Sequence, residues 1–296
     1  MNRLVLIACT NVGRAMIEAL YNDEALADVE LAGVVDLRPE TATGKANYDS
    51  YVDLKVKYDF PLYYCTSVNE PECMDFLRQC KPDVIIQSGW SQKFKQEILD
   101  IPTYACIGEH PAPLPKGRGA ACCNWATITG EHEWGDTFFK MEMTYDTGAI
   151  YGQSFFDIEI YDDIKTVYDK VAAAAVNTIR QHLPGWVKGE FTEQIQDDSQ
   201  ATHYPKRTPD MGEFDFSQDS VSIYNQIRGQ ARPYPGAFFK TTIDGQEKKV
   251  TVWKASIDDT ERADGGRNVL CGDGKFVRLL RVQVEGKPEQ WACEVL

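Results

Sequence analysis

Two residues in the middle of the chain have the chemistry to move a proton near neutral pH. His110 is of the one side-chain type that titrates there unperturbed. Asp146 can orient an imidazole, raise its basicity and hold a water that shuttles protons. Both fall in stretches that read as loops at the ends of strand-like runs. The run Tyr104–Ile107 delivers His110, and prolines at 111, 113 and 115 then exclude a continued helix or a central strand. Lys116-Gly117-Arg118-Gly119 adds two cations and two flexible backbone positions, and Ala120–Thr129 has helical composition. Asp146 lies in the acidic turn Thr144-Tyr145-Asp146-Thr147-Gly148, between two strand-like runs. Loops at strand ends are where α/β proteins keep their chemistry, so Ile107–Tyr151 is the stretch the other elements must position.

Those elements are legible on both sides. Leu4–Cys9 is an apolar β-type run, and the Asn11, Gly13 and Arg14 that follow mark a first buried strand and turn, not a signal peptide. Arg14–Tyr21 starts a helix, and Leu31–Val35 is a second buried strand ending at Asp36. This βαβ opening permits a dinucleotide reading with Asp36 on a ribose, but its turn holds one glycine in place of Gly-x-Gly-x-x-Gly. Pro39–Tyr58 reads as a loop with a short helix, Pro61–Tyr64 as a strand, and Asn69–Gln79 as a helix with acidic groups in its first turn. Val84–Gln87 is a further buried strand, leading into Ser88-Gly89-Trp90-Ser91-Gln92. Beyond Asp146, Ile150–Ile160 has strand character at the sheet edge, and Asp163–Leu183 is a long amphipathic helix. A polar connector over Gly185–Asp198 leads to a domain boundary near 199–206. Lys249–Ile257, Gly266–Gly272 and Phe276–Val284 follow as short strands broken by Gly and Asp. The expectation is an α/β protein: a Rossmann-like, mostly parallel sheet over residues 1–200, and a small β-rich subdomain over 201–296.

With 296 residues, the chain is long enough for two domains that each bury a core. Hydrophobic residues are 43% and charged residues 26%, as in ordinary globular proteins, and no apolar run approaches the roughly 18 residues that span a bilayer. No membrane role is expected. Nine cysteines form no Cys-x-x-Cys and only four histidines occur, so neither a zinc site nor a disulfide scaffold is signalled. Free thiols suit a reducing cytoplasm, and no metal is expected. The formal charge is −14 and the pI near 4.8. A polyanion such as tRNA needs a cationic footprint, and none is visible as a cluster. A small anionic substrate held by a few local cations remains compatible.

The central stretch resembles the folate-dependent formyltransferases, which include methionyl-tRNA, glycinamide ribonucleotide and amino-sugar N-formyltransferases. That family carries Asn-x-His-Pro-Ser-Leu-Leu-Pro-x-x-Arg-Gly and, further on, Asp-Thr-Gly. His110, Pro111, Leu114, Pro115, Arg118, Gly119, Trp125, Asp146, Thr147 and Gly148 match the pattern here. Tyr204–Asp210, Ile223–Arg228 and Arg232–Phe238 resemble the start of the C-terminal region of the methionyl-tRNA and amino-sugar enzymes, including Pro-Tyr-Pro-Gly-Ala-Phe. One position departs: the family's asparagine is Gly108, followed by Glu109.

The resemblance implies transfer of a formyl group from 10-formyltetrahydrofolate to an amine, with His110 and Asp146 catalytic. It places the pterin on the loop of Trp90, Ser91 and Gln92 together with Tyr145 and Asp146, largely through backbone groups. Arg118 is a candidate for an anionic part of the substrate, or a partner for a loop carboxylate or carbonyl. In the family the asparagine donates to the formyl oxygen, and losing one such donor typically costs about a hundredfold to a thousandfold. Three accounts of Gly108 stay open. A backbone N–H, a water or protonated His110 replaces the donor; Glu109 contacts the incoming amine; or the one-carbon chemistry has changed. The acceptor implied by resemblance and charge is a nucleotide-linked amino sugar. Methionyl-tRNA is the alternative, disfavoured because the region that carries a basic, glycine-rich insertion in those enzymes reads RPETATGKANYDSYVDLK here. A folate- or sugar-nucleotide-binding homologue without transfer activity is a third reading. The C-terminal region is a candidate homodimer interface.

Overall fold

The structure is a computed structural model that describes residues 2–257 and 264–296. In chain order the elements are β1 (Arg3–Ala8), α1 (Asn11–Asn22), β2 (Glu30–Leu37), α2 (Val52–Tyr58), β3 (Leu62–Cys65), α3 (Pro71–Cys80), β4 (Val84–Ser88), α4 (Gln96–Leu99), β5 (Ala105–His110), β6 (Arg118–Gly119), α5 (Cys122–Thr129), β7 (Glu133–Lys140) and β8 (Ile150–Asp157). There follow α6 (Ile164–Trp186), β9 (His203–Tyr204), α7 (Ser220–Arg228), β10 (Ala237–Ile243), β11 (Gln246–Ser256), β12 (Arg267–Leu270), β13 (Phe276–Val284) and β14 (Glu289–Trp291). They form two compact units. The first is Met1–Gly119, Glu133–Phe156 and Tyr168–Tyr204; the second is Ala120–His132, Asp157–Val167 and Pro205–Leu296. The chain therefore leaves the first unit twice before residue 205, a path that no composition shift announces.

The first unit is a seven-stranded sheet in the order β3-β2-β1-β4-β5-β7-β8. Strands β3, β2, β1, β4 and β5 pair in parallel, and β7 runs antiparallel to β5. Parallel strands covered on both faces read as continuous apolar runs, and Leu4–Ala8 and Val84–Ile86 are buried throughout. One face packs on α3 and α4 through Val35, Leu77, Ile85, Trp90, Ile98 and Cys106. On the other, Phe138 of β7 meets Trp186 of α6 at 5.7 Å between ring centroids. Helix α6 buries the expected stripe of Ile164, Val167, Val171, Ala175 and Ile179, and runs past Leu183 through Pro184 to Trp186. Between α1 and α2 the chain is tied down by Tyr51, whose hydroxyl donates to the Thr10 carbonyl and accepts from the Thr10 N–H.

The second unit holds a five-stranded antiparallel sheet ordered β10-β11-β13-β12, with β14 also on β13. Its core joins Ile223 and Ile227 of α7 to Phe239, Val252, Leu279 and Val282 of the strands. Strands β10 and β14 carry no separate signal in the sequence: β10 follows a proline-rich turn directly, and β14 has three residues. Ile257, expected to end a strand, lies just beyond β11.

Asp36 closes β2 fully buried, with one carboxyl oxygen accepting from the Leu37 N–H. It is therefore not presented to a ribose. Burial pushes its carboxyl up to about 7, and the nearby Asp49 adds to the shift. The folded state thus keeps a proton that the unfolded chain gives up near pH 4, so this group lowers stability as pH rises from about 4 to about 7. Asp36→Asn should remove that slope, which approaches ~1.4 kcal/mol per pH unit for one proton. In urea titrations the variant's advantage should grow up to about pH 7 and then level off. A difference independent of pH would contradict this assignment.

Candidate active site

Strand alternation divides the residues of β5. Gly108 and His110 face one side of the sheet and Glu109 the other. Glu109 is buried and accepts a hydrogen bond of 2.7 Å from the Ser88 hydroxyl. It is not brought to His110, which removes the geometric basis for expecting it on the incoming amine.

The proline-rich loop after His110 is pinned through its carbonyls and amides. Trp134 Nε1 donates to the Pro111 carbonyl at 2.8 Å. The Thr137 hydroxyl donates to the Ala112 carbonyl at 2.6 Å and accepts from the Leu114 N–H at 3.1 Å. Gln153 Nε2 donates to both the Leu114 carbonyl and the Thr137 hydroxyl. A loop with three prolines lacks the donors to hold itself, and β7 and β8 supply them. The loop then turns back so that the Gly117 carbonyl lies 2.8 Å from His110 Nε2. A carbonyl only accepts, so Nε2 carries a proton in this contact. That leaves Nδ1 as the nitrogen that gains or loses a proton, and it lies 3.9 Å from Asp146 Oδ1.

Asp146 occupies the left-handed region at φ 57°, which aspartate tolerates better than most residues. Its second oxygen, Oδ2, accepts from the Gly119 N–H at 3.1 Å. The carboxylate thus joins the two loops, with one oxygen on Gly119 and the other toward the imidazole. Beside it, Met143 and Tyr145 are 46% and 65% exposed, and Lys93 stands over the Tyr145 ring.

In the loop after β4 the side chains are mostly engaged within the protein. Trp90 is buried in the core, and its indole N–H donates to Gln92 Oε1 at 3.3 Å. Gln92 also accepts from the Val68 N–H and donates to the Thr66 carbonyl, so its amide ties the loop to residues 66–68. Of the three, only Ser91 is exposed. Ser91 and nearby Lys93 are exposed side chains of this loop. Arg118, a candidate for an anionic substrate, is buried. It donates to Gln196 Oε1 through Nε and Nη2 and pairs with Asp198 at 2.7 Å. Sequence reasoning missed Gln196, which lies in a polar connector with no motif.

Gly108 is packed, not open. A Cβ there would stand 2.7 Å from Phe139 Cζ and 3.3 Å from Met141 Cγ. The Phe139 ring therefore fills the space beside Gly108 on the face that bears His110. Gly108 is also opposite Phe139 in register, two residues on from Cys106, whose carbonyl accepts from Met141. Ladder alternation makes Gly108 and Phe139 a hydrogen-bonded pair, which commits the Gly108 N–H to the sheet. Among the described residues, no cluster of three or more His, Cys, Asp or Glu could hold a metal ion, and no helix is long and apolar enough to cross a membrane.

Comparison with known proteins agrees with this arrangement. Residues 2–183 match the formyl transferase family and residues 206–296 the formyl transferase C-terminal domain. The chain is 34% identical over 237 residues to the methionyl-tRNA formyltransferase of Caldanaerobacter subterraneus subsp. tengcongensis, covering 77% of this chain and 75% of the relative. HypX from Aquifex aeolicus in complex with tetrahydrofolic acid shares the fold, with a TM-score of 0.65 and 18% identity. That likeness covers 99% of this chain but 46% of HypX, so the chain spans less than half the length of that protein. An N-formyltransferase from Helicobacter canadensis, in complex with folinic acid and dTDP-3-aminofucose, gives a TM-score of 0.68 at 14% identity over 94% of this chain and 99% of its own. With a family match over more than half of its length, the chain belongs to the formyl transferase family.

Proposed function

We propose that this site transfers a formyl group from 10-formyltetrahydrofolate to the amine of a small acceptor, a nucleotide-linked amino sugar. The observation that carries the reading is the fixed His110: Nε2 held on the Gly117 carbonyl and Nδ1 directed at Asp146. The exposed Met143 and Tyr145 beside Asp146, with the backbone around Ser91, suit a pterin that is held by apolar cover and main-chain groups. 10-Formyltetrahydrofolate supplies the activated formyl carbon. His110 Nδ1 takes the proton as the amine attacks and returns it to the leaving nitrogen. Asp146 stabilises the imidazolium formed between those steps, 3.9 Å away. The Gly108 N–H belongs to the sheet, which leaves a water or the imidazolium formed during the reaction as the donor toward the formyl oxygen.

Support for a sugar acceptor is chemical as well as comparative. The chain carries a formal charge of −14. Residues 38–55, the region where methionyl-tRNA enzymes of the family are basic, instead present Asp49 and Asp53, which pair with Arg14 of α1 at 2.6 and 2.8 Å. The fold likeness to an N-formyltransferase with dTDP-3-aminofucose supports the same class. Methionyl-tRNA formylation is the second reading, favoured by 34% identity to an enzyme of that name. The cysteines are free, eight of them buried, which supports a cytoplasmic setting.

The deciding assay is tetrahydrofolate release from 10-formyltetrahydrofolate against a panel of nucleotide-linked amino sugars, with methionyl-tRNA alongside. Formylation of one sugar and not of the tRNA is the expected result. Formylation of the tRNA alone would replace the acceptor, and folate binding without turnover would leave a binding protein. His110→Ala and Asp146→Asn should each lower kcat/KM by about 100- to 10,000-fold, and rates near wild type for both would sink the mechanism. Gly108→Asn should not raise the rate. Driving its side chain into Phe139 should cost roughly 1–3 kcal/mol in urea unfolding, with part recovered in combination with Phe139→Leu. A faster Gly108→Asn enzyme would show that space for the amide exists after all.

A further inference from the structure

The connector over 184–205 falls between the two regions that match the family, residues 2–183 and 206–296, yet it ties down both loops of the site. Gln194 exchanges backbone hydrogen bonds with Ile150, at 2.8 and 2.9 Å, just after the Asp146 turn. Thr202 accepts from the Arg118 N–H through its carbonyl and from the Gly117 N–H through its hydroxyl. Strand β9 then runs parallel to β6, pairing His203 with Arg118 and Tyr204 with Gly119. Between these ties lies Gln196, 8% exposed. Arg118 can only donate, so Gln196 must present Oε1 to it, and its Nε2 then points at the Asp146 turn. There Nε2 donates to the Asp146 carbonyl at 2.9 Å and the Gly148 carbonyl at 2.8 Å. Both of its hydrogens are used, and both act on the loop that carries the carboxylate.

We propose that Gln196 is a positioning residue: its amide holds the Asp146 turn in register with His110, and Arg118 serves by orienting that amide instead of binding substrate. The inference rests on the transfer reading for what the site does, and on geometry alone for where the turn sits. Only a side chain with an acceptor and two donors in one plane meets these demands. A glutamate of the same size would still accept from Arg118 but would set a carboxylate oxygen against two carbonyls. It would repel the turn it now holds.

The test is Gln196→Glu, alone and combined with Asp146→Asn, read by turnover and by amide hydrogen exchange. The single variant should lower kcat about 10- to 100-fold, with KM for 10-formyltetrahydrofolate within about threefold. Exchange of amides 144–149 should speed up about tenfold while those of β1 and β4 keep their rates. In the Asp146→Asn background the same change should cost little more, since the residue it acts through is already disabled. Unchanged exchange at 144–149, or the full cost of Gln196→Glu on top of Asp146→Asn, overturns the proposal. Should glutamate unfold the chain, Gln196→Met carries the same measurements with no charge introduced. Exchange does not depend on the reaction. A wild-type chain inactive toward every acceptor would therefore end the transfer reading and still let exchange decide the role of Gln196.

Discussion

A carbonyl oxygen cannot give a proton, and the site is built on that constraint. With the Gly117 carbonyl 2.8 Å from His110 Nε2, that nitrogen holds its hydrogen and Nδ1 is the one that faces Asp146. Everything nearby serves either to keep Gly117 where it is or to bring a carboxylate to the other side of the ring. Trp134, Thr137 and Gln153 hold the proline-rich loop before Gly117, and Thr202 holds Gly117 itself through its N–H. The imidazole sits at the end of β5, with parallel β4 on one side and antiparallel β7 on the other. Its backbone is thus as fixed as the sheet.

The second requirement is a carboxylate within reach of Nδ1, and it is met at some conformational cost. Asp146 adopts a left-handed backbone, where a residue persists only if its surroundings determine it. Those surroundings are the Gly119 N–H on its side chain and the Gln196 amide on the carbonyls of Asp146 and Gly148. Buried Arg118 completes the chain of contacts. A guanidinium removed from water needs acceptors for its donors, and it finds them in Gln196 and Asp198. In the Arg-Gly pair the arginine donates to the Gln196 amide oxygen and the glycine donates to the Asp146 carboxylate.

Replacement of the family's asparagine by Gly108 is a packing decision as much as a chemical one. Phe139 lies across the position that a side chain at 108 would enter, and it shares a small core cluster with Leu114 and Ile150. Glycine and phenylalanine fit each other across the β5–β7 pair.

Much of this was legible in the residues. Continuous apolar runs such as Leu4–Cys9 and Val84–Gln87 announce buried parallel strands, because only strands covered on both faces can be apolar throughout. Three prolines and two glycines after His110 demand a loop, because proline removes donors and glycine opens backbone conformations. The pairing of His110 with Asp146 was inferable from residue type and motif. Alternation along β5 was countable, but its consequence for Glu109 depends on what covers each face, and that required the sheet order. Tertiary structure alone decided the rest. Arg118 and Gln196 meet because two loops far apart in sequence return to one place, and the buried amide has only one orientation that satisfies both its neighbours. The burial of the Trp90 ring and the three hydrogen bonds of the Gln92 amide are likewise visible only in the fold. Local sequence determines which groups are present and what each can donate or accept; only long-range packing determines which of them have already been satisfied.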